Sequence, residues 1–440
     1  MTDNAAANPI TAEDEVVDIC RDLIRFDTSN YGDRSGPGER AAAEYTAALL
    51  ADVGLEPELF ESAPGRANVV VRLEGSDPSA SALVVHGHLD VVPAQKEDWT
   101  VDPFSAELKD GLIWGRGAVD MKDMDAMILA VVRQLRRTGT KPKRDLVIAL
   151  FADEEAGGTY GARWAVDKRP ELFEGATEAI SEVGGYSAYI GGKRAYMLQT
   201  AEKGLGWLRM TARGRAGHGS QVNDDNAVTR LARAVARIGD HQWPIELTDT
   251  TRRFLDGVTE LTGVEFDPDD PDILLKELGT VARFVGATLR NTSNPTVLKA
   301  GYKENVIPGS AEARIDTRTL PGQDEFVLAK LKELAGDGID FDYVHHDVSL
   351  ETPFEGPLVQ AMVGALNAED PGAPVLPYTL SGGTDNKSLS RLGITGYGFA
   401  PLQLTPDLDF PAMFHGVDER VPADALTFGA RVLRRLLTAY

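Results

Sequence analysis

Ala82-Leu-Val-Val-His-Gly-His-Leu-Asp90 is the stretch that decides the fold. A short apolar, β-branched run ends there in two histidines and an aspartate. Such a run reads as a strand buried on both faces, the pattern of a parallel sheet covered by helices. Two more segments repeat the arrangement. Leu146-Val-Ile-Ala-Leu-Phe151 leads into Asp153-Glu-Glu155, and Thr177-Glu-Ala-Ile-Ser181 leads into Glu182. Ligands of open α/β sheets gather beyond the carboxyl ends of the strands. Three separate segments thus deliver oxygen and nitrogen donors to one edge, which points to a metal cleft rather than to scattered surface charge.

Strands and helices alternate on either side of this stretch up to about residue 200. Thr11-Ala-Glu-Asp14 reads as a capping box opening an amphipathic helix to about Phe26. Glu39 to Val53 reads as a second helix, strands follow near 67–73 and 82–86, and Asp123 to Thr138 is helical until Gly139 closes it. The texture changes after Glu202-Lys-Gly204. Trp207 to Ala212 alternates like a half-exposed strand, helices are expected over Asn226 to Ile238, Thr250 to Thr262 and Gln323 to Leu334, and Ala311 to Thr317 is strand-like. Beyond residue 350 the first texture returns, with a helix near 356–367, a glycine-rich loop at 381–385 and a last helix from Ala423 to about Thr438. The expected fold is α/β. Residues 1–202 and 351–440 form one catalytic domain, a mostly parallel mixed sheet flanked by helices, and 203–350 form an inserted, smaller α+β lid or dimerisation domain. Residues 1 to about 10 are polar and expected to fray.

Composition narrows the function. With 45 Lys and Arg against 68 Asp and Glu, the net charge is −23, which argues against nucleic-acid backbones and anionic membranes as partners. Cys20 is the single cysteine, so neither an intramolecular disulfide nor a thiolate zinc site can form. It reads as a small buried hydrophobe beside Val16, Val17, Leu23 and Ile24. Met1 to Ile10 shows no basic region and no long apolar stretch, and Ala126 to Val132 is too short to span a bilayer. A reduced, soluble, cytoplasmic protein is the expectation.

Each candidate residue carries two readings. His88 and Asp90 share a face of extended chain, as a metal-binding imidazole and its orienting carboxylate would, or as two loop residues with local hydrogen bonds. Asp120 follows Gly115-Arg-Gly117 and precedes a helix, so it serves either as a helix cap or as a carboxylate bridging two metals. Glu154 and Glu155 are adjacent like charges, costly unless a cation or a shared proton relieves them. On extended chain they point apart, which suits one to bind metal and the other to take a proton from water. Glu182 precedes Gly184-Gly185, and His415 precedes Gly416; an isolated histidine of this kind is more often structural. In the middle region His218 lies between glycines, Asn305 belongs to Asn-Val-Ile-Pro308 and reads otherwise as a turn, and Arg318 is either a bidentate carboxylate clamp or the partner of Asp316 in a strand ion pair.

Taken in order, these pieces resemble the zinc aminoacylase and exopeptidase family, which includes acetylornithine deacetylase, succinyl-diaminopimelate desuccinylase, carboxypeptidase S and aminoacylase. The resemblance runs from His86-Gly-His-Leu-Asp-Val-Val-Pro93 through Trp114-Gly-Arg-Gly-Ala-Val-Asp-Met-Lys122, Asp153-Glu-Glu155, Gly217-His218, Asn305-Val-Ile-Pro308 and Gly382-Gly-Thr-Asp385 to His415-Gly416. The run from Ala287 to Gly301 is most similar to the carboxypeptidase S and aminoacylase branch. The resemblance implies that His88 binds one metal, His415 the other, and Asp120 both, with Glu155 and Glu182 completing separate shells. It implies Glu154 as general base and acid, Asp90 as the group orienting His88, and a cis peptide after Asp120. His218, often supplied across a dimer in this family, would polarise the scissile carbonyl, while Asn305 and Arg318 would hold the substrate. The implied cofactors are two divalent metal ions, zinc first and cobalt or manganese as alternatives. The implied substrate is a small molecule, a dipeptide or N-acyl amino acid, and the implied assembly a homodimer through the inserted domain. Two rivals are a catalytically silent metal-binding module on the same fold and a two-metal phosphoesterase; the carboxylate clamp at Arg318 speaks against the second.

Overall fold

In the computed structural model, residues 10–440 are described. Apart from Ile10, the N-terminal segment expected to fray lies outside the described residues. The helix Ala12–Arg25 opens on a capping box of Thr11 and Asp14, as its sequence predicts, and buries Cys20 with Val16, Leu23 and Ile24. Among the described residues no helix is long and apolar enough to cross a membrane.

A ten-stranded mixed sheet organises the chain. Its centre is parallel. Leu146–Phe151 pairs with Ala82–His88, Ala82–His88 with Ala176–Ser181, and Ala176–Ser181 with Thr395–Gly398. Outside this centre the hairpin Glu58–Ala63 and Arg66–Leu73 and the strand Lys193–Glu202 add antiparallel pairings. Every residue of Ala82–His88 and of Leu146–Phe151 is buried, because helices cover both faces of the sheet. Each fully buried Val or Leu there contributes about 1.5–3 kcal/mol. The helix Lys122–Thr138 fills one of these faces and ends at Gly139 in the left-handed conformation (φ +67°). Between the two histidines of the opening strand, Gly87 leaves room for the side chains of Asp125 and Met121, which would have to shift to admit any larger residue. A Cβ there would lie 2.2 Å from Asp125 Oδ1.

The chain leaves this sheet between Lys193–Glu202 and Gly204–Arg213. A four-stranded antiparallel sheet follows, ordered Thr292–Ala300, Ser310–Thr319, Gly204–Arg213, Ile339–Asp347. Its strands alternate in burial with period two. Leu208, Met210, Ala212, Ala311, Ala313 and Ile315 face the helices Ala227–Gly239 and Asp324–Ala335 and close a second core with Leu231, Val327 and Leu331. The opposite face carries Leu205, Trp207, Asp316, Arg318, His345 and Asp347, brought together by the register Leu205–Arg318, Trp207–Asp316 and Trp207–His345.

The segment 203–350, expected as one inserted unit, divides between the two sheets. Its helices Asp249–Thr262 and Ala282–Thr288 bury Phe254, Leu255, Val258, Val285 and neighbouring Leu289 in the main core, against the catalytic sheet. These helices are amphipathic, so their apolar faces are plain in the sequence, but what each face packs against is not.

Candidate metal centre

Three parallel strands end at one edge, and the next residues turn into a cleft. His88 closes the first strand, with its side chain 1% exposed. Its Nδ1 lies 2.9 Å from the backbone carbonyl of Asp90. A carbonyl only accepts, so Nδ1 carries a hydrogen and Nε2 is the nitrogen that faces the cleft, where against the pull of burial the charge of Glu182 and the hydrogen bond to Asp120 hold the ring's pKa well above its usual value. After the second strand, Asp153 takes a left-handed backbone (φ +68°) and swings Glu154 and Glu155 into the same cleft. After the third, Glu182 is followed by Val183, also left-handed (φ +54°). His415 itself has φ +57°. Non-glycine residues rarely adopt this conformation, and such strain gathers at functional sites.

Asp120 stands in the middle. Its Oδ1 is 3.2 Å from His88 Nε2 and its Oδ2 is 3.3 Å from His415 Nε2. The peptide after it, Asp120–Met121, is cis. Glu182 lies 3.6 Å from His88 Nε2 and Glu155 lies 3.0 Å from His415 Nε2. Glu154 approaches His88 Nε2 at 4.0 Å. The donors fall into two clusters, His88–Glu154–Glu182 and Asp120–Glu155–His415, each with its ligand atoms within 4.8 Å of one another. Four carboxylates meet here, and among the described residues no lysine or arginine pairs with any of them.

That crowding is costly whichever way the protons sit. Burial, and then the charge of Glu182, pushes Glu154 well above the usual carboxylate range. Burial pushes Glu182 up to about 7. Hydrogen bonds to Asp120 and Glu155 raise His415 to about 10. Burial works to raise Asp120 as well, but His415 and His88 overcome it and hold that carboxyl low. Paired imidazoles and carboxylates around an acidic hollow are the donor set that divalent cations relieve, so the residues present fit two metal ions.

Asp90 does more than stand beside His88. Its backbone carbonyl makes the hydrogen bond to His88 Nδ1, and its carboxylate lies 3.7 Å from the same nitrogen. The carboxylate accepts from the backbone N–H of Glu154 (3.0 Å) and of Glu155 (3.1 Å), and from Asn30 Nδ2 (2.9 Å). The left-handed turn at Asp153 presents those N–H groups to it, so its charge shapes the Glu154–Glu155 turn.

A second support joins the segments carrying Asp120 and His415. Glu419, fully buried, accepts from Arg116 (2.8 Å) and from the backbone N–H of Gly117 (3.0 Å) and Val119 (2.7 Å). Arg116 also donates to the carbonyl of Gly416 at 2.9 Å. Removing one partner of a buried ion pair strands the other. Glu419→Ala is therefore expected to cost roughly 3–5 kcal/mol of stability, measured by denaturant unfolding; an unchanged midpoint would show that Arg116 and the two amides are satisfied without it.

The cleft opens into a cavity of about 360 Å³ between the two sheets. Asp120, Glu154, Glu155, Glu182 and His415 line its floor, and Leu205, Trp207, Arg318, His345 and Asp347 its roof. Val183, Phe284, Leu380 and Phe414 supply apolar wall, and the loop Ser381 to Asp385 with Lys387 closes one side. Arg318 realises both of its readings, lining the cavity while bonding both oxygens of Asp316 (2.8 and 3.2 Å). His218 and Asn305 are not part of this cavity within one chain. They sit on an exposed two-stranded ladder where Gly217–His218 pairs with Val306–Ile307, and His218 Nδ1 is 2.8 Å from Ser220 Oγ. Sequence reasoning missed Arg163, Trp207, His345, Asp347 and Lys387. Only Lys387 carried a signal, two residues after the glycine-rich loop.

The chain matches the model of peptidase family M20/M25/M40 over residues 84–439. It is 28% identical to human aminoacylase-1 over 415 residues, covering 92% of this chain and 90% of that protein. Its fold is similar to that of an M20 family metallo-carboxypeptidase, Sso-CP2 of Sulfolobus solfataricus, with a TM-score of 0.73, 18% identity, and 97% and 99% of the two chains covered. It is likewise similar to the YXEP protein of Bacillus subtilis, a dinuclear metal-binding peptidase, with a TM-score of 0.62, 12% identity, and 97% and 98% covered. With its strand ends, bridging aspartate and paired histidines in place, this chain belongs to peptidase family M20/M25/M40 and is a hydrolase of carbon–nitrogen bonds.

Proposed function

We propose that the chain hydrolyses the amide bond of a small N-acyl amino acid or dipeptide at a two-metal centre. The observation that carries this reading is Asp120, with one oxygen toward His88, the other toward His415, and Glu154 beside them. His88, Glu182 and Asp120 would hold one divalent cation, and His415, Glu155 and Asp120 the other. Zinc is the first choice, with cobalt or manganese as alternatives. Bound there, such ions supply Lewis acidity, polarising a carbonyl and making water acidic near neutral pH. Glu154 takes the proton from the attacking water at a carboxylate oxygen and passes it to the departing nitrogen. Asp90 keeps Glu154 in place through its backbone N–H. Arg318 holds a substrate carboxylate from the roof, and the walls of Val183, Trp207, Phe284 and Phe414 receive an apolar group and exclude water.

The test is a panel of N-acyl amino acids and dipeptides, run with and without a chelator. Free amino acid is expected to appear from apolar substrates, to stop with the chelator and to return when zinc, cobalt or manganese is added back. Metal-independent release, or cleavage of phosphoesters alone, would overturn the reading.

His218 and Asn305 are assigned to the cavity of a second copy. Their exposure on the outer ladder supports this, as does the edge strand Thr292–Ala300, which presents Val297 and Leu298 to solvent. Mixing His218→Ala and Glu154→Ala chains is expected to restore part of the activity that each lacks alone, since one of the two sites in a mixed dimer is then intact. Confirmed mixed dimers without recovery would place His218 in its own chain's chemistry or outside it altogether.

A further inference from the structure

Three cationic side chains beside His345 line the cavity away from its floor, namely Arg163, Arg318 and Lys387. Two are matched. Arg163 pairs with Asp347, and Arg318 with both oxygens of Asp316. Lys387 is not. It is 7% exposed, its ammonium donates to the backbone carbonyl of Lys203 at 2.6 Å, and among the described residues no carboxylate comes within 4 Å of it. Glu202, a near source of negative charge, has its oxygens taken by Thr384 N (3.0 Å), Thr384 Oγ1 (2.6 Å) and Gln199 Nε2 (3.2 Å). A buried ammonium with one carbonyl partner is costly to maintain. Burial lowers the pKa of Lys387, and the charges of Glu202 and Asp347 pull it back.

We propose that Lys387 is a specificity-determining residue that binds a substrate carboxylate beside the Arg318 clamp, completing its missing ion pair when the substrate is seated. The inference rests on the amide-hydrolase reading of this cavity. Lys387 lines the same cavity as Arg318 on the roof and Glu154 on the floor, so a carboxylate that meets its ammonium there belongs to a molecule seated over the metal centre. The ligand class is an N-acyl amino acid bearing a free carboxylate, on either the amino-acid half or the acyl half.

Calorimetric titration of the metal-loaded Glu154→Gln protein tests this without consuming ligand. The probes are N-acetyl-L-methionine, N-acetyl-L-methioninamide and N-succinyl-L-methioninamide. With Lys387 present, at least one acid is expected to bind more tightly than the neutral amide. Lys387→Gln keeps an N–H donor for the Lys203 carbonyl but removes the charge. It is expected to weaken that acid by about 10–100-fold, as loss of a charged hydrogen bond does, and to leave the neutral amide within about twofold. Lys387→Arg is expected to recover most of the loss. Which acid responds identifies which half carries the recognised carboxylate. Equal weakening of acid and amide, no weakening, or no preference for acid with Lys387 intact would overturn the proposal; the first would leave Lys387 a support for Lys203. Hydrolysis by the native enzyme is measured in parallel. Selective acid binding without any amide cleavage would defeat the hydrolase reading and leave the role of Lys387 standing.

Discussion

Glu154→Gln is expected to lower kcat by about 10²–10⁴-fold, the range of general acid–base catalysis, while the protein still takes up two metal ions. Glutamine keeps the shape and the backbone N–H that Asp90 holds at 3.0 Å, so the turn at Asp153 survives. What disappears is the oxygen able to accept a proton from water. The geometry makes this substitution decisive, because Glu154 lies only 4.0 Å from His88 Nε2 and clusters with His88 and Glu182. If it were a ligand rather than the base, the variant would bind one metal less. Metal analysis and single-turnover rates on the same sample separate the two roles. Full metal content with near-native turnover would exclude Glu154 from the proton transfer.

Asp120→Ala is expected to be at least as damaging, for a different reason. One carboxylate serves both histidines, at 3.2 and 3.3 Å, so its loss takes an oxygen from beside each of them at once. Residues that merely support a ligand change metal affinity or activity by about 10–100-fold when replaced. Loss of a shared ligand should exceed that, with metal content falling below two per chain and kcat falling with it. Chelator titration followed by elemental analysis measures the outcome. A variant that keeps two ions bound would mean that Asp120 is not their common ligand.

Much of this centre could be read from the chain because its parts obey short-range rules. Apolar β-branched runs announce buried strands, and in a parallel sheet the residues just past their ends meet. His88, Glu154, Glu155 and Glu182 follow from that alone. The role of the Asp90 carboxylate did not, since it depends on the backbone direction at Asp153, a non-glycine residue at φ +68° that no local pattern announces. The cavity roof was hidden for another reason. Trp207, Arg318 and His345 share a face only in the observed register, and register between strands about a hundred residues apart is a property of the folded sheet. Arg116 stood in a segment singled out from the sequence, yet nothing there names Glu419, about three hundred residues on, as its partner.

The division of the middle segment has a mechanical consequence. The backbone passes between the catalytic sheet and the small sheet not twice but four times: after Glu202, between Trp243 and Ile245, between Leu289 and Ser293, and after Asp347. A roof on four straps cannot swing like a door on one hinge. Tilting or sliding by small amounts is the motion expected of it, and a protease cut in any one strap is expected to loosen the roof without releasing it.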